Sequence, residues 1–262
     1  MASFTGSSIK NVYKDILHTS NSNTGIGSSI KQITCGDGDT TALYLSDRNA
    51  KIQPSTDTTT NTVIYDADGN ALVTVDSTND LVKAGIGQHS VNTQYAHFGA
   101  GSADSVWAGA VANTHYAVPF NSMQSQALVS LGTGTDPASS LTIATTADDT
   151  TACYWYVMDN MTIDRAIFWQ GADAASGDTT RAHIFQYTVV TTAGSTSGDL
   201  SSGTLVAHGA DITNSGYEQS YYQQMTIDSA DINAGKILLF TFRSDSVNSD
   251  FSINATIKYH LR

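Results

Sequence analysis

Apolar residues in this chain come in short alternating runs and not at helical spacing. Near the C-terminus, Ile253, Ala255, Ile257 and Tyr259 alternate with Asn254, Thr256 and Lys258. That period of two is what a half-buried strand requires. Runs of this kind recur from position 114 onward: HYAVPF (115–120), QALVSL (126–131), SLTIAT (140–145), ACYWYVM (152–158), TIDRAIFWQ (162–170), RAHIFQYTVV (181–190), TLVAHG (204–209), YEQSYYQQMTI (217–227), KILLFTFR (236–243) and FSINATIKYHL (251–261). Short strands joined by Gly, Asp and Ser turns predict a two-sheet β-sandwich of jelly-roll type over 114–262. ACYWYVM and KILLFTF are nearly continuous apolar runs, which marks them as central strands.

The first third has a different texture. Residues 1–10 are small and polar and read as an arm. Tyr13, Ile16 and Leu17 fall in a short apolar turn or strand that serves as an anchor. ALYLS (42–46), AKI (50–52), TVIYD (62–66) and ALVTVD (71–76) are short β segments, separated by polar stretches such as PSTDTTTNT (54–62). Asp-Gly within DADGN (66–70), between two alternating runs, predicts a hairpin. So few apolar side chains bury too little to offset chain entropy in a lone domain. Residues 1–90 therefore read as an anchor and stem whose core is completed by partner chains. The Gly/Ala-rich stretch 91–113 reads as a junction, and 114–262 as the head.

Composition supports an all-β chain. Of the acids, 23 are Asp and one is Glu218. Asp favours turns and caps, whereas exposed helix faces favour Glu. The formal net charge is −12. It is concentrated in residues 84–235, where Arg165 and Arg181 face twelve Asp and Glu218. A nucleic-acid backbone needs clustered Lys and Arg, so this charge excludes it as a partner. MASFTGSSIK has no basic start followed by an apolar run, so no secretory signal is expected. No apolar window approaches the length that would span a membrane as a helix. Cys35 and Cys153 lack metal-ligand spacing and read as free thiols in preference to a disulfide.

Candidate chemistry is sparse. GDGD (36–39) and DADGN (66–70) resemble the start of a calcium loop, but the twelfth position from Asp66 is Ser77 and not Glu, so both read as turns. The seven histidines contain no zinc-protease spacing; a metal ring built from His89 or His97 on a threefold axis is the alternative to ordinary histidines. There is no G-x-S-x-G elbow and no Walker loop, and no catalytic, cofactor or metal residue is assigned. Aromatic clusters place Trp155, Trp169, Tyr217, Tyr221 and Tyr222 as residues of a glycan platform, a core or a subunit interface.

The stretch NVYKDILHTSNSNTGIGSSIKQITCGDGDTTALYLSDRNAKI (11–52) resembles the opening module of tailed-phage virion proteins, those of marine phages above all. The shared texture is a Tyr-Lys-x-Ile-Leu start, an Asn/Ser run, a Gly turn, a strand, a Gly-Asp turn and Thr-Ala-Leu-x-Leu-Ser. The rest resembles, more loosely, the heads of trimeric fibres and capsid decoration proteins. The resemblance implies a non-enzymatic homotrimer on the virion surface, assembled in the host cytoplasm. Its partners would be other capsid or tail proteins and a host-surface glycan, with no cofactor and no membrane insertion. Its short length favours a spike, head fibre or decoration protein. A carbohydrate-binding module, free or cell-surface, is the alternative, and a glycan-degrading depolymerase a third reading.

Overall fold

A computed structural model describes residues 16–19, 25–101, 111–121, 128–133, 149–172, 176–215, 218–246 and 251–262. The expected arm, Tyr13, Tyr217 and the strand at 140–145 lie outside these residues. The chain is all-β and divides into two compact units, Met1–Asn92 and Thr93–Arg262.

The first unit contains two four-stranded antiparallel meanders. One is built from β1 (His18–Thr19), β2 (Lys31–Thr34), β3 (Thr40–Leu45) and β4 (Ala50–Ile52). Leu17, one of the two described anchor residues, is exposed just before β1, and Ile16 is half-buried. The other meander comprises β5 (Thr62–Tyr65), β6 (Ala71–Asp76), β7 (Leu81–Ala84) and β8 (His89–Ser90). Its first hairpin is the one expected at DADGN. Asp66 Oδ1 accepts the Asp68 and Asn70 amides at 3.0 and 2.7 Å, and Gly69 takes the positive φ of 85° that the turn needs.

Register in the second meander puts Ile64 beside Val73 and Ala84, and Val75 beside Val82, on one face. Val63, Thr74, Asp76, Leu81 and Lys83 take the other. That mixed face is the more covered one: Thr74 and Asp76 are buried. Burial alone would raise the Asp76 carboxyl, but Lys83 Nζ at 2.8 Å and two donors of Asn79 more than offset it and hold the group down at about 2. The apolar face stays open, with Ile64 55% exposed. Ile33 is the one buried hydrophobic side chain among the described residues of this unit.

The second unit is an antiparallel sandwich. Its strands are β9 (Thr93–Ala100), β10 (Thr114–Val118), β11 (Val129–Thr133), β12 (Trp155–Tyr156), β13 (Met161–Ala172), β14 (Thr179–Val189), β15 (Leu200–His208), β16 (Ile212–Thr213), β17 (Gln219–Gln224), β18 (Thr226–Ile227), β19 (Asp231–Ile232), β20 (Lys236–Ser244) and β21 (Phe251–Leu261). One sheet runs β11-β10-β20-β14-β15-β18, and the other β17-β13-β21-β9. Phe168 of the second sheet lies 5.8 Å from Phe240 of the first, and Phe251 5.2 Å from Phe242. The two inner faces thus share one core.

β9 corrects the expected junction. Thr93–Ala100 pairs with β21 along its length, because Ala96, Phe98 and Ala100 alternate inward beneath an otherwise polar strand. The unit boundary therefore falls at Asn92, and the first residues of the expected junction belong to a strand of the second unit. ACYWYVM is corrected too: it forms a short 3₁₀ turn (Thr151–Cys153) and the two-residue β12, not a long central strand. Here Cys153 and Trp155 serve different apolar clusters, on the two sides of the eight-stranded sheet.

β20 is the central strand expected from KILLFTF. Phe240 and Phe242 face the inter-sheet core, while Ile237 and Leu239 face a second cluster with Phe185, Tyr187 and Leu200. Both faces are covered, so its apolar run is continuous. Burial drives the Cys153 thiol up to about 12, which leaves it inert; both cysteines are free.

On that second face His183 is fully buried, its ring 5.3 Å from that of His115. Burial first, then the neighbouring His115, Arg181, His208 and Arg243, depress it to about 3. Below the ordinary histidine value near 6.5, the unfolded chain binds a proton here that the folded chain refuses. Stability is then fully present above that value and falls by about 1.4 kcal/mol per pH unit as pH drops toward the folded value. Urea unfolding at pH 7.5 and 5.5 should show a loss of this size, which His183→Phe should reduce. An unchanged slope in the variant would mean that another group is responsible.

Candidate functional site

The outer face of the second sheet is the most chemically distinctive surface of the second unit. Ala166, Phe168 and Gln170 of β13 point inward, so Arg165, Ile167 and Trp169 point outward. Register with the neighbouring strands arranges the face in rows. Tyr222, Trp169 and Asn254 form one; Gln224, Ile167, Thr256 and His97 the next; Arg165, Lys258 and Tyr95 the third. Trp169 and Arg165 are four residues apart on one strand, about 13 Å at the usual rise.

Trp169 is 47% exposed and Tyr222 50%. Their rings meet edge-to-face at 5.1 Å, an arrangement that holds both side chains in fixed positions. Arg165 Nη2 donates to the Tyr222 hydroxyl at 3.3 Å. Among the described residues, the next row holds Ser220, Gly171 and Ser252. A Cβ on Gly171 would meet Ser252 Oγ at 2.5 Å, so the surface beside the Trp169 ring stays low. The aromatic pair stands above its surroundings with polar groups on both sides.

The other sequence-derived candidates sort differently. Trp155 is 7% exposed and stacks on Phe120 at 5.8 Å with near-parallel rings, 5.0 Å from Tyr259. It is a core residue and not part of a platform, because alternation through Trp155 and Val157 turns both inward and leaves Tyr156 and Met158 outside. Tyr221 is half-buried against the core; its hydroxyl accepts the Ser215 amide at 2.7 Å. Sequence reasoning missed Arg165, Lys258 and Tyr95 as site residues, and considered His97 only as a metal ligand. Alternation had already put Lys258 and Asn254 on a polar face, but nothing in the sequence shows which strands lie beside it.

A cavity of about 220 Å³ at one end of the unit is lined by Trp155, Tyr156, Met158, Met161, Tyr259 and Leu261, among others. It is smaller than the usual ligand site. Among the described residues no three His, Cys, Asp or Glu side chains converge as a metal ion would need. No helix among them is long and apolar enough to cross a membrane. The chain matches no protein-family model and no curated protein sequence.

Proposed function

We propose that this chain is a non-enzymatic structural component of a tailed-phage virion, a homotrimeric surface spike, fibre or decoration protein. The first unit would anchor and assemble it, and the jelly-roll-like second unit would face outward, toward a host surface. The observation that carries this reading is the open apolar face of the β5–β8 meander. A single four-stranded sheet with Ile64, Val73, Val75 and Val82 on one side needs a second layer to be stable. Copies of the same chain supply that layer in a closed symmetric assembly. The resemblance of residues 11–52 to virion modules supports the same conclusion.

Light scattering coupled to size exclusion tests it. A trimer has a mass of about 83 kDa, three times the 27.7 kDa chain. Ile64→Asp combined with Val82→Asp should return the protein to monomer mass, since each charge would be buried in the subunit contact. A wild-type monomer would remove the shared-layer argument. Mass spectrometry of purified particles then tests the virion assignment directly.

The Trp169–Tyr222 pair favours a second reading, a carbohydrate-binding module. Binding on a glycan array that is lost in Trp169→Ala would favour this reading, and silence across the array would count against it.

A further inference from the structure

The face around Trp169 carries a charge pattern that folding alone does not explain. The second unit has six Lys and Arg residues against fifteen acids. Arg181 pairs with Asp211 at 2.7 Å, Arg262 pairs with Asp231 at 3.1 Å, and Lys236 donates to Thr188 at 2.6 Å. Arg165 and Lys258 instead oppose each other directly across β13 and β21. Like charges in that position repel and destabilise a sheet. Neither has a carboxylate partner among the described residues, although Asp is the commonest charged residue in the chain. The nearest acid in sequence, Asp164, is held by His260 Nδ1 at 2.8 Å. The three rows carry no acid, and the two acids of the next row already have partners, Asp164 with His260 and Asp231 with Arg262 and Thr162.

We infer that this face binds an acidic saccharide, with a uronate carboxylate on the Arg165–Lys258 pair and a neighbouring ring on Trp169. The inference rests on the adhesive reading of the second unit and deepens it by naming the ligand class. Charge complementarity selects the anion: Arg165 and Lys258 stand on paired positions of β13 and β21 with no carboxylate on either among the described residues, and Arg165 keeps only the Tyr222 hydroxyl, at 3.3 Å. The guanidinium fork of Arg165 suits a planar carboxylate, while Lys258 acts as a point charge. The aromatic row selects the sugar. An exposed indole beside a low floor offers its face to the C–H groups of a pyranose, and Asn254, Thr256 and Gln224 present amides and a hydroxyl to ring hydroxyls. Arg165 Nη2 lies 3.3 Å from the hydroxyl of Tyr222, whose ring meets that of Trp169 at 5.1 Å, so the cation and the indole flank neighbouring sugar positions. Two cations are too few for a nucleic-acid backbone on so acidic a chain. At about 0.15 M salt the Debye length is near 8 Å, so the distant carboxylates are screened while the direct contact is not.

The test uses the full-length protein in 0.15 M salt, titrated with alginate, polygalacturonate and hyaluronan, and with the methyl-esterified or carboxyl-reduced form of each. At least one uronate polymer should bind, and its neutralised form should bind at least tenfold more weakly. Arg165→Gln with Lys258→Gln should abolish that preference while keeping the solution mass and a melting temperature no lower than the parent's. Trp169→Ala should lose binding to both forms. Equal binding of the charged and neutralised polymers, or a double variant that binds like the parent, would overturn the acidic-ligand inference and leave glycan adhesion standing. No binding to any polymer, charged or neutral, would overturn both.

Discussion

Phe240→Ala is expected to destabilise the second unit by about 4 kcal/mol, the middle of the range for a fully buried phenylalanine. Phe240 is 0% exposed and sits on β20 between Val118 and Ile184. Its ring lies 5.8 Å from both Phe98 and Phe168, which come from β9 and β13 of the facing sheet. Truncation would remove the contact that joins the two sheets at their centre. Side chains fixed on regular strands on both sides collapse poorly into such a cavity, so little of the loss is recovered. For a unit of this size the melting temperature should fall by roughly 10 °C. Phe240→Leu keeps much of the volume and should lose less than half as much. A drop of only a degree or two for the alanine variant would show that this part of the core is loosely packed.

The second large effect is expected at Gln170. It is fully buried on β13, where its neighbours Phe168 and Ala172 are apolar. Its amide Nε2 donates to Asn214 Oδ1 at 2.7 Å, and its Oε1 accepts from the Thr180 hydroxyl at 2.7 Å. Asn214 in turn donates to the Asp178 carbonyl at 2.8 Å. The three side chains clasp β13 of one sheet to β14 and the segment after β16 of the other. Gln170→Leu fills the space but leaves Asn214 Oδ1 without its donor, while the Thr180 hydroxyl keeps the Ile212 carbonyl at 3.3 Å, a loss of about 2 kcal/mol at the usual penalty for an orphaned group. Adding Thr180→Val should then cost less than Thr180→Val alone, because an apolar pair asks for no hydrogen bond. Denaturant unfolding of the single and double variants measures the coupling. Purely additive losses would mean that the bond contributes nothing of its own. Trp169 is the next residue on the same strand, so the clasp also positions the exposed face.

How much of this was legible in the sequence differs from element to element. The strand alternation at Ile253–Tyr259 needed only local chemistry, and the structure has it as expected. The hairpin at 66–70 did too, since Asp66 closes the turn with its own neighbours. The open apolar face of the first unit was foreshadowed by its sparse hydrophobic residues. By contrast, the sequence at Thr93–Ala100 reads as part of a junction, and the structure makes it a strand. Its inward residues are Ala96, Phe98 and Ala100, and two alanines among glycines look like a linker until a partner strand is in place.

The sequence by itself determined the all-β class, the turns, the acidic surface and the inside–outside parity of most long strands. These follow from interactions within a few residues, where side-chain direction alternates and turn residues act alone. Only the tertiary structure decided that Trp155 belongs to the core and Trp169 to the surface, although both stand in aromatic runs. It alone brought Arg165 opposite Lys258 and Tyr222 beside Trp169. Parity says which face a side chain takes; pairing between strands far apart in sequence says what stands next to it, and that pairing is set by how the whole set of inward residues fits one core.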